Sequence, residues 1–187
     1  MRVLVACEFS GTVRDAFLTR GHDAVSCDLI PSERPGPHIQ DDVLDHLSDG
    51  WDLMIAHPPC TYLAVSGNRW MTERPERMKD RVVALDFVRT LMDADIPKIC
   101  IENPKSVITS QIRKADQIIH PWQFGHGERK ETHLWLKNLP KLNSTDVVSG
   151  RTPRVHLEAP GPARAKNRSR TFTGIAAAMA DQWGPLP

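Results

Sequence analysis

The sequence carries almost no net charge, a single tyrosine and no long apolar run, and each shortage narrows what the chain can be. Lys and Arg number 24 against 23 Asp and Glu, for a formal charge of +1. A chain balanced in this way is not a general electrostatic trap for nucleic acid. No apolar run approaches the ~18 residues of a membrane-spanning helix, so none is expected. Its four cysteines (Cys7, Cys27, Cys60, Cys100) form no CxxC pair, which argues against a zinc knuckle or a dithiol redox motif. His120, His126 and His133 share one stretch, but their spacing fits no common zinc pattern, so no metal is expected. A full GxGxxG is missing after the first apolar run, which leaves a pyrophosphate cofactor such as NAD unsupported. The opening MRVLVACEF starts directly on a strand-like pattern. The expectation is no signal peptide, reduced thiols and a cytoplasmic location.

What is present is an alternation of strands and helices. At 187 residues one domain spanning 1–187 is expected. Residues 3–7 read as a strand buried on both faces, 12–20 as a helix closed by Gly21, 23–28 as a second strand and 31–37 as a Pro/Gly loop. A turn or short helix covers 41–47, a strand 53–56 and an amphipathic helix 78–92. A further strand, 97–101, stops at Glu102-Asn103-Pro104, and 132–136 is another. Residues 143–167 read as loop, and 174–183 as an alanine-rich helix with Thr173 as its N-cap. The pattern predicts an α/β fold: a mostly parallel sheet with helices on both faces.

In such sheets ligands gather at the carboxyl ends of the strands, where the reactive residues fall. Glu8-Phe9-Ser10-Gly11 occupies the first strand-to-helix turn, and Gly11 lets backbone approach a ligand. Asp28 ends the second strand, where an acid commonly grips ribose hydroxyls. His57-Pro58-Pro59-Cys60 follows the third. The two prolines stiffen that loop, which suits the positioning of a nucleophile, and a thiol there must be ionised to add to a ring carbon. Glu102-Asn103 follows the fourth. A carboxyl group there can hydrogen-bond a ring nitrogen and make the ring attackable by sulfur. Taken singly, each reads equally well as a turn, a surface acid or a structural cysteine; their joint placement points to a site.

These residues resemble, in order and placement, the cytosine-C5 DNA methyltransferases, and the chain is most similar to their short bacteriophage-type members. Pro59-Cys60 matches the family's Pro-Cys signature and Glu102-Asn103 its Glu-Asn signature. The resemblance implies a Rossmann-like class I fold and S-adenosyl-L-methionine as cofactor. It makes Cys60, Glu102 and Arg129 the catalytic set. Glu8, Phe9, Ser10, Gly11, Asp28, Leu29, Asp42, Val43 and Pro58 would bind cofactor, with Asp42 meeting adenine. Pro59, Tyr62, Ser66, Asn103 and Lys130 would bind substrate. The first turn reads ACEFSG where the family has Phe-x-Gly-x-Gly, and Glu128-Arg129-Lys130 matches the family's Gln-x-Arg-x-Arg region only loosely. The last helix resembles the segment that folds back to complete the cofactor site.

One departure concerns the substrate. In place of a large target-recognition domain the chain has only residues 137–170, too few for an independent core. Within it, residues 151–170 carry six Arg or Lys against Glu158 alone, a run suited to phosphates or simply to solvent. Three readings follow: methyl transfer to C5 of cytosine in DNA, the same chemistry on a free cytosine nucleotide such as dCMP, or an inactive protein that binds nucleic acid or cofactor. In duplex DNA the cytosine would have to flip out of the stack.

Overall fold

In the computed structural model, which describes residues 1–155, 157–159, 161 and 164–186, seven strands form one sheet with the order β3-β2-β1-β4-β5-β7-β6. Strands β1 (Arg2–Ala6), β2 (Asp23–Cys27), β3 (His38–Ile39), β4 (Leu53–Ala56) and β5 (Lys98–Pro104) run parallel. Strand β7 (Thr132–Lys137) lies antiparallel between β5 and β6 (Gln117–Ile119).

The strands bury both faces, and their alternation divides the core in two. Val3, Val5, Leu53, Ile55 and Cys100 point into one cluster with Phe17 of α1 (Thr12–Leu18) and with Ile175, Met179 and Trp183 of α6 (Thr173–Trp183). Leu4, Ala6, Met54, Ala56, Ile99 and Ile101 point into the other, against Leu85, Val88 and Leu91 of α3 (Arg77–Asp93). Helices therefore cover both faces, and the architecture is the expected α/β, Rossmann-like one. Among the described residues no helix is long and apolar enough to cross a membrane.

Several boundaries differ from the sequence reading, each for a physical reason. β5 does not stop before Glu102; antiparallel partners on β7 carry it on, with Asn103 opposite His133 and Pro104 opposite Thr132. Thr173 is the first residue of α6 rather than its cap, and the side chain of His126 accepts the Gly174 N–H instead (3.0 Å). The 143–167 stretch is not all loop, because α5 (Arg164–Ser169) begins within it. The short helices α2 (Asn68–Glu73) and α4 (Ile108–Gln111) complete the set.

A buried arginine organises the edge beside β2. Arg14 is fully buried in α1, and its guanidinium donates to Ser26 Oγ, Ser32 Oγ and the Pro35 carbonyl at 3.1–3.2 Å. Gly11 (φ 69°) and Gly36 (φ 141°) make room for it, since a Cβ on either would come within 2.9 Å of the guanidinium. Replacing Arg14 by Met strands these buried partners, and urea unfolding is expected to show a loss of roughly 3 kcal/mol. A loss below about 1 kcal/mol would show that the network is dispensable.

Candidate active site at the carboxyl ends of the strands

The carboxyl ends of β1, β2, β4 and β5 open into a cleft of about 1290 Å³. It lies where the strand order reverses between β1 and β4, the position at which doubly wound sheets bind ligands. Glu8, Phe9, Ser10, Asp28, Pro58, Pro59, Cys60, Ser66, Glu102, Asn103, Arg129 and Lys130 all line it. Residues expected from separate sequence motifs thus meet in one place. Five expected residues do not line the cleft. Gly11 packs on Arg14, Val43 is buried in the α3-side core, and Leu29 is 71% exposed. Asp42 caps a short 3₁₀ turn through the Leu44 N–H (3.0 Å), and Tyr62 sits under the guanidinium of Arg77 (4.7 Å).

The turn after β1 is built around Glu8. Its buried carboxylate accepts the Val13 and Arg14 N–H groups at 2.7 and 3.1 Å, and Ser10 Oγ donates to it at 3.1 Å. Glu8 therefore satisfies the open end of α1. Asp28, by contrast, borders the cleft; burial raises its carboxyl, and it accepts the Ile30 N–H at 3.2 Å.

The loop after β4 is fixed from β5. Asn103 Nδ2 donates to the Pro58 carbonyl (2.8 Å), and His57 Nδ1 lies 2.9 Å from Glu102 Oε2. Burial pushes the Glu102 carboxyl up, but the hydrogen bond from His57 and the charge of Lys130 outweigh it and hold it below the usual range. The carboxylate is thus the acceptor and Nδ1–H the donor. The sequence names His57 only as the first residue of the Pro58-Pro59-Cys60 stretch and gives no sign of this partner.

Cys60 is exposed, whereas Cys27 and Cys100 are buried and Cys7 is partly so. The protein packed around the Cys60 thiol, together with the Glu102 charge, raises it above the ordinary thiol value, against Lys130 and Arg168. These surroundings disfavour the thiolate that addition to a ring carbon requires.

The basic segment closes one side. Arg164, Lys166 and Arg168 of α5 line the cleft. Lys166 Nζ sits 5.1 Å over the Phe9 ring and 2.9 Å from Glu33. Arg170 grips Glu33 through two hydrogen bonds at 2.8 and 2.7 Å, which with Lys166 holds that carboxyl at about 2. Lys130 Nζ donates to the Arg168 carbonyl (3.1 Å). A separate concavity of about 600 Å³, lined by Arg89, Trp135 and Asn138 among others, contains none of the expected site residues.

The charges around Cys60 give a direct test. Iodoacetamide should label Cys60 ahead of the other three cysteines, and more slowly at pH 7.5 than it labels an unstructured peptide thiol. Glu102→Gln removes a charge that disfavours the thiolate and should speed labelling, and Lys130→Met should slow it, each about threefold or more. Slower labelling in Glu102→Gln together with faster labelling in Lys130→Met would refute this electrostatic picture.

No protein-family profile matches the sequence, and no curated protein matches it. Among solved structures, one that is similar is a protein assigned as a DNA modification methyltransferase encoded within an E. coli prophage, with 13% identity and a TM-score of 0.44. The match covers 73% of this chain, and this chain spans less than half of that protein's length (46%).

Proposed function

We propose that the chain is an S-adenosylmethionine-dependent methyltransferase acting on C5 of cytosine in DNA. The observation that carries this reading is the meeting of Cys60 and Glu102, from two different strands, in the cleft that also contains Phe9, Ser10 and Asp28. The residues at the β1–β2 end of the cleft suit the cofactor. Asp28 offers a partly desolvated carboxylate for ribose hydroxyls, and Phe9 and Ile30 provide apolar faces for a purine. When bound, S-adenosylmethionine supplies an electrophilic methyl group.

The chain's own residues supply the rest. Cys60 Sγ adds to C6 of cytosine, forming an S–C6 bond while the ring electrons move toward N3 and C5. Glu102 stands at the N3 edge; it takes up a proton as the base binds beside it and shares that proton with N3, which offsets the charge, so C5 becomes the carbon that accepts the methyl group. The methyl donor leaves as S-adenosylhomocysteine, a base reached through water takes the C5 proton, and elimination of Cys60 restores the aromatic ring and the free thiolate. The raised thiol of the free cleft fits this sequence. A bound base that meets the charge of Glu102 removes one of the two influences holding Cys60 up. Arg129, Lys130 and Arg168 line the same cleft and suit the phosphate beside a flipped nucleotide.

A second reading, the same chemistry on dCMP, draws support from the placement of the cations. Arg164, Lys166 and Arg168 cluster on one side of the cleft itself, a placement that suits a single phosphate. Mass spectrometry of nucleosides from the DNA of expressing cells is expected to detect 5-methylcytosine, and Cys60→Ser should lower it by at least roughly 10³-fold. Label from S-adenosylmethionine that enters dCMP but never DNA would replace the polymer reading with the nucleotide one.

A further inference from the structure

His57 is the one cleft-lining side chain paired with Glu102 that neither composition nor motif order explains. It leaves β4 immediately before the stiff Pro58-Pro59 pair, and its imidazole is largely buried. Nδ1 serves the Glu102 carboxylate at 2.9 Å, while Nε2 is buried with no hydrogen-bond partner among the described residues. A buried ring nitrogen left unpaired is costly, so the ring is held there at some expense to stability. The other Glu102 oxygen, Oε1, accepts no hydrogen bond among the described residues and belongs to a residue that lines the cleft.

We infer that His57 is a positioning residue for Glu102, fixing the carboxylate through Oε2 so that Oε1 is presented to the amino edge of the target pyrimidine. The inference rests on the proposed reading that Glu102 meets the base. A carboxylate free to rotate would spend its time among several rotamers. One oxygen tied to an imidazole on a neighbouring, proline-stiffened loop leaves the second with a single direction. The same contact keeps the group ionised until a base meets it. A carboxylate oxygen accepts from the exocyclic amino group of cytosine and repels the carbonyl oxygen that uracil and thymine carry at that position. His57 thereby contributes to the choice of base as well as to the rate. The charged and titratable groups around the pair are Glu102 from β5, Cys60 from the loop of His57 itself, Lys130 from the segment before β7 and Arg168 from α5.

The test compares the full chain with His57→Leu, which removes the donor, and His57→Asn, which keeps one; near-UV circular dichroism checks that each is folded. The Glu102 side-chain carboxyl is followed by carbon NMR against pH in the free protein. In His57→Leu its ionisation constant should fall about tenfold or more, and Cys60 should react faster with iodoacetamide. Methyl transfer should lose about 100-fold in kcat with KM for S-adenosylmethionine unchanged, and discrimination between cytosine and uracil targets should shrink; His57→Asn should recover most of the kcat. An unmoved Glu102 titration in His57→Leu overturns the proposal, as does an unchanged kcat. If the wild type transfers no methyl group, the reading of the reaction fails. The NMR and alkylation measurements still decide whether His57 governs Glu102.

Discussion

The parallel register of β4 on β5 sets Ala56 opposite Ile101. One residue further along, His57 reaches Glu102, and two residues further along, Pro58 reaches Asn103. Both cross-links depend on that register, and a slip of one residue would turn every side chain of β4 to the opposite face. Four consecutive fully buried residues, Leu53 to Ala56, make such a slip costly, since each side chain already fills one of the two cores. The hydrophobic pattern of a four-residue strand therefore aligns the cysteine loop with the carboxylate it is proposed to work beside.

Around that alignment the electrostatics are balanced rather than extreme. Glu102 is kept ionised inside the protein by an imidazole and an ammonium, and its charge in turn disfavours the Cys60 thiolate. Of the α5 cations on the same cleft, Lys166 pairs with Glu33, which Arg170 just beyond the helix also holds, and the Arg168 carbonyl accepts from Lys130. The contacts to Glu33 are exposed, so they contribute little to stability and weaken with salt. They nonetheless seat α5 beside Phe9.

Much of this was legible in the sequence because the parallel strands are short, continuous apolar runs. Residues 53–56 were read with their observed limits, and the alternation to the helices follows directly. What escaped depends on partners remote in sequence. The two- and three-residue strands β3 and β6 have no periodicity of their own. β5 extends through Glu102 because β7 pairs with it, which no local signal shows. Asp42 and Val43 were expected at the cofactor on the strength of family order alone, yet one caps a turn and the other fills the core. Tyr62 likewise turned to Arg77. His57 and Arg14 were passed over for a related reason: a lone histidine or arginine becomes informative only once its buried partners are known.

The two prolines have a further effect beyond stiffness. Neither Pro58 nor Pro59 carries a backbone N–H, and the carbonyl of buried Pro58 is taken by Asn103. The floor of the cleft beneath Cys60 thus contains a stretch of main chain with no donor that needs water. Elsewhere a chain entering a buried turn must bring solvent or a polar side chain with it. Here it need not, so the charges that face Cys60 from Glu102, Lys130 and Arg168 meet two successive residues whose main chain offers no competing donor.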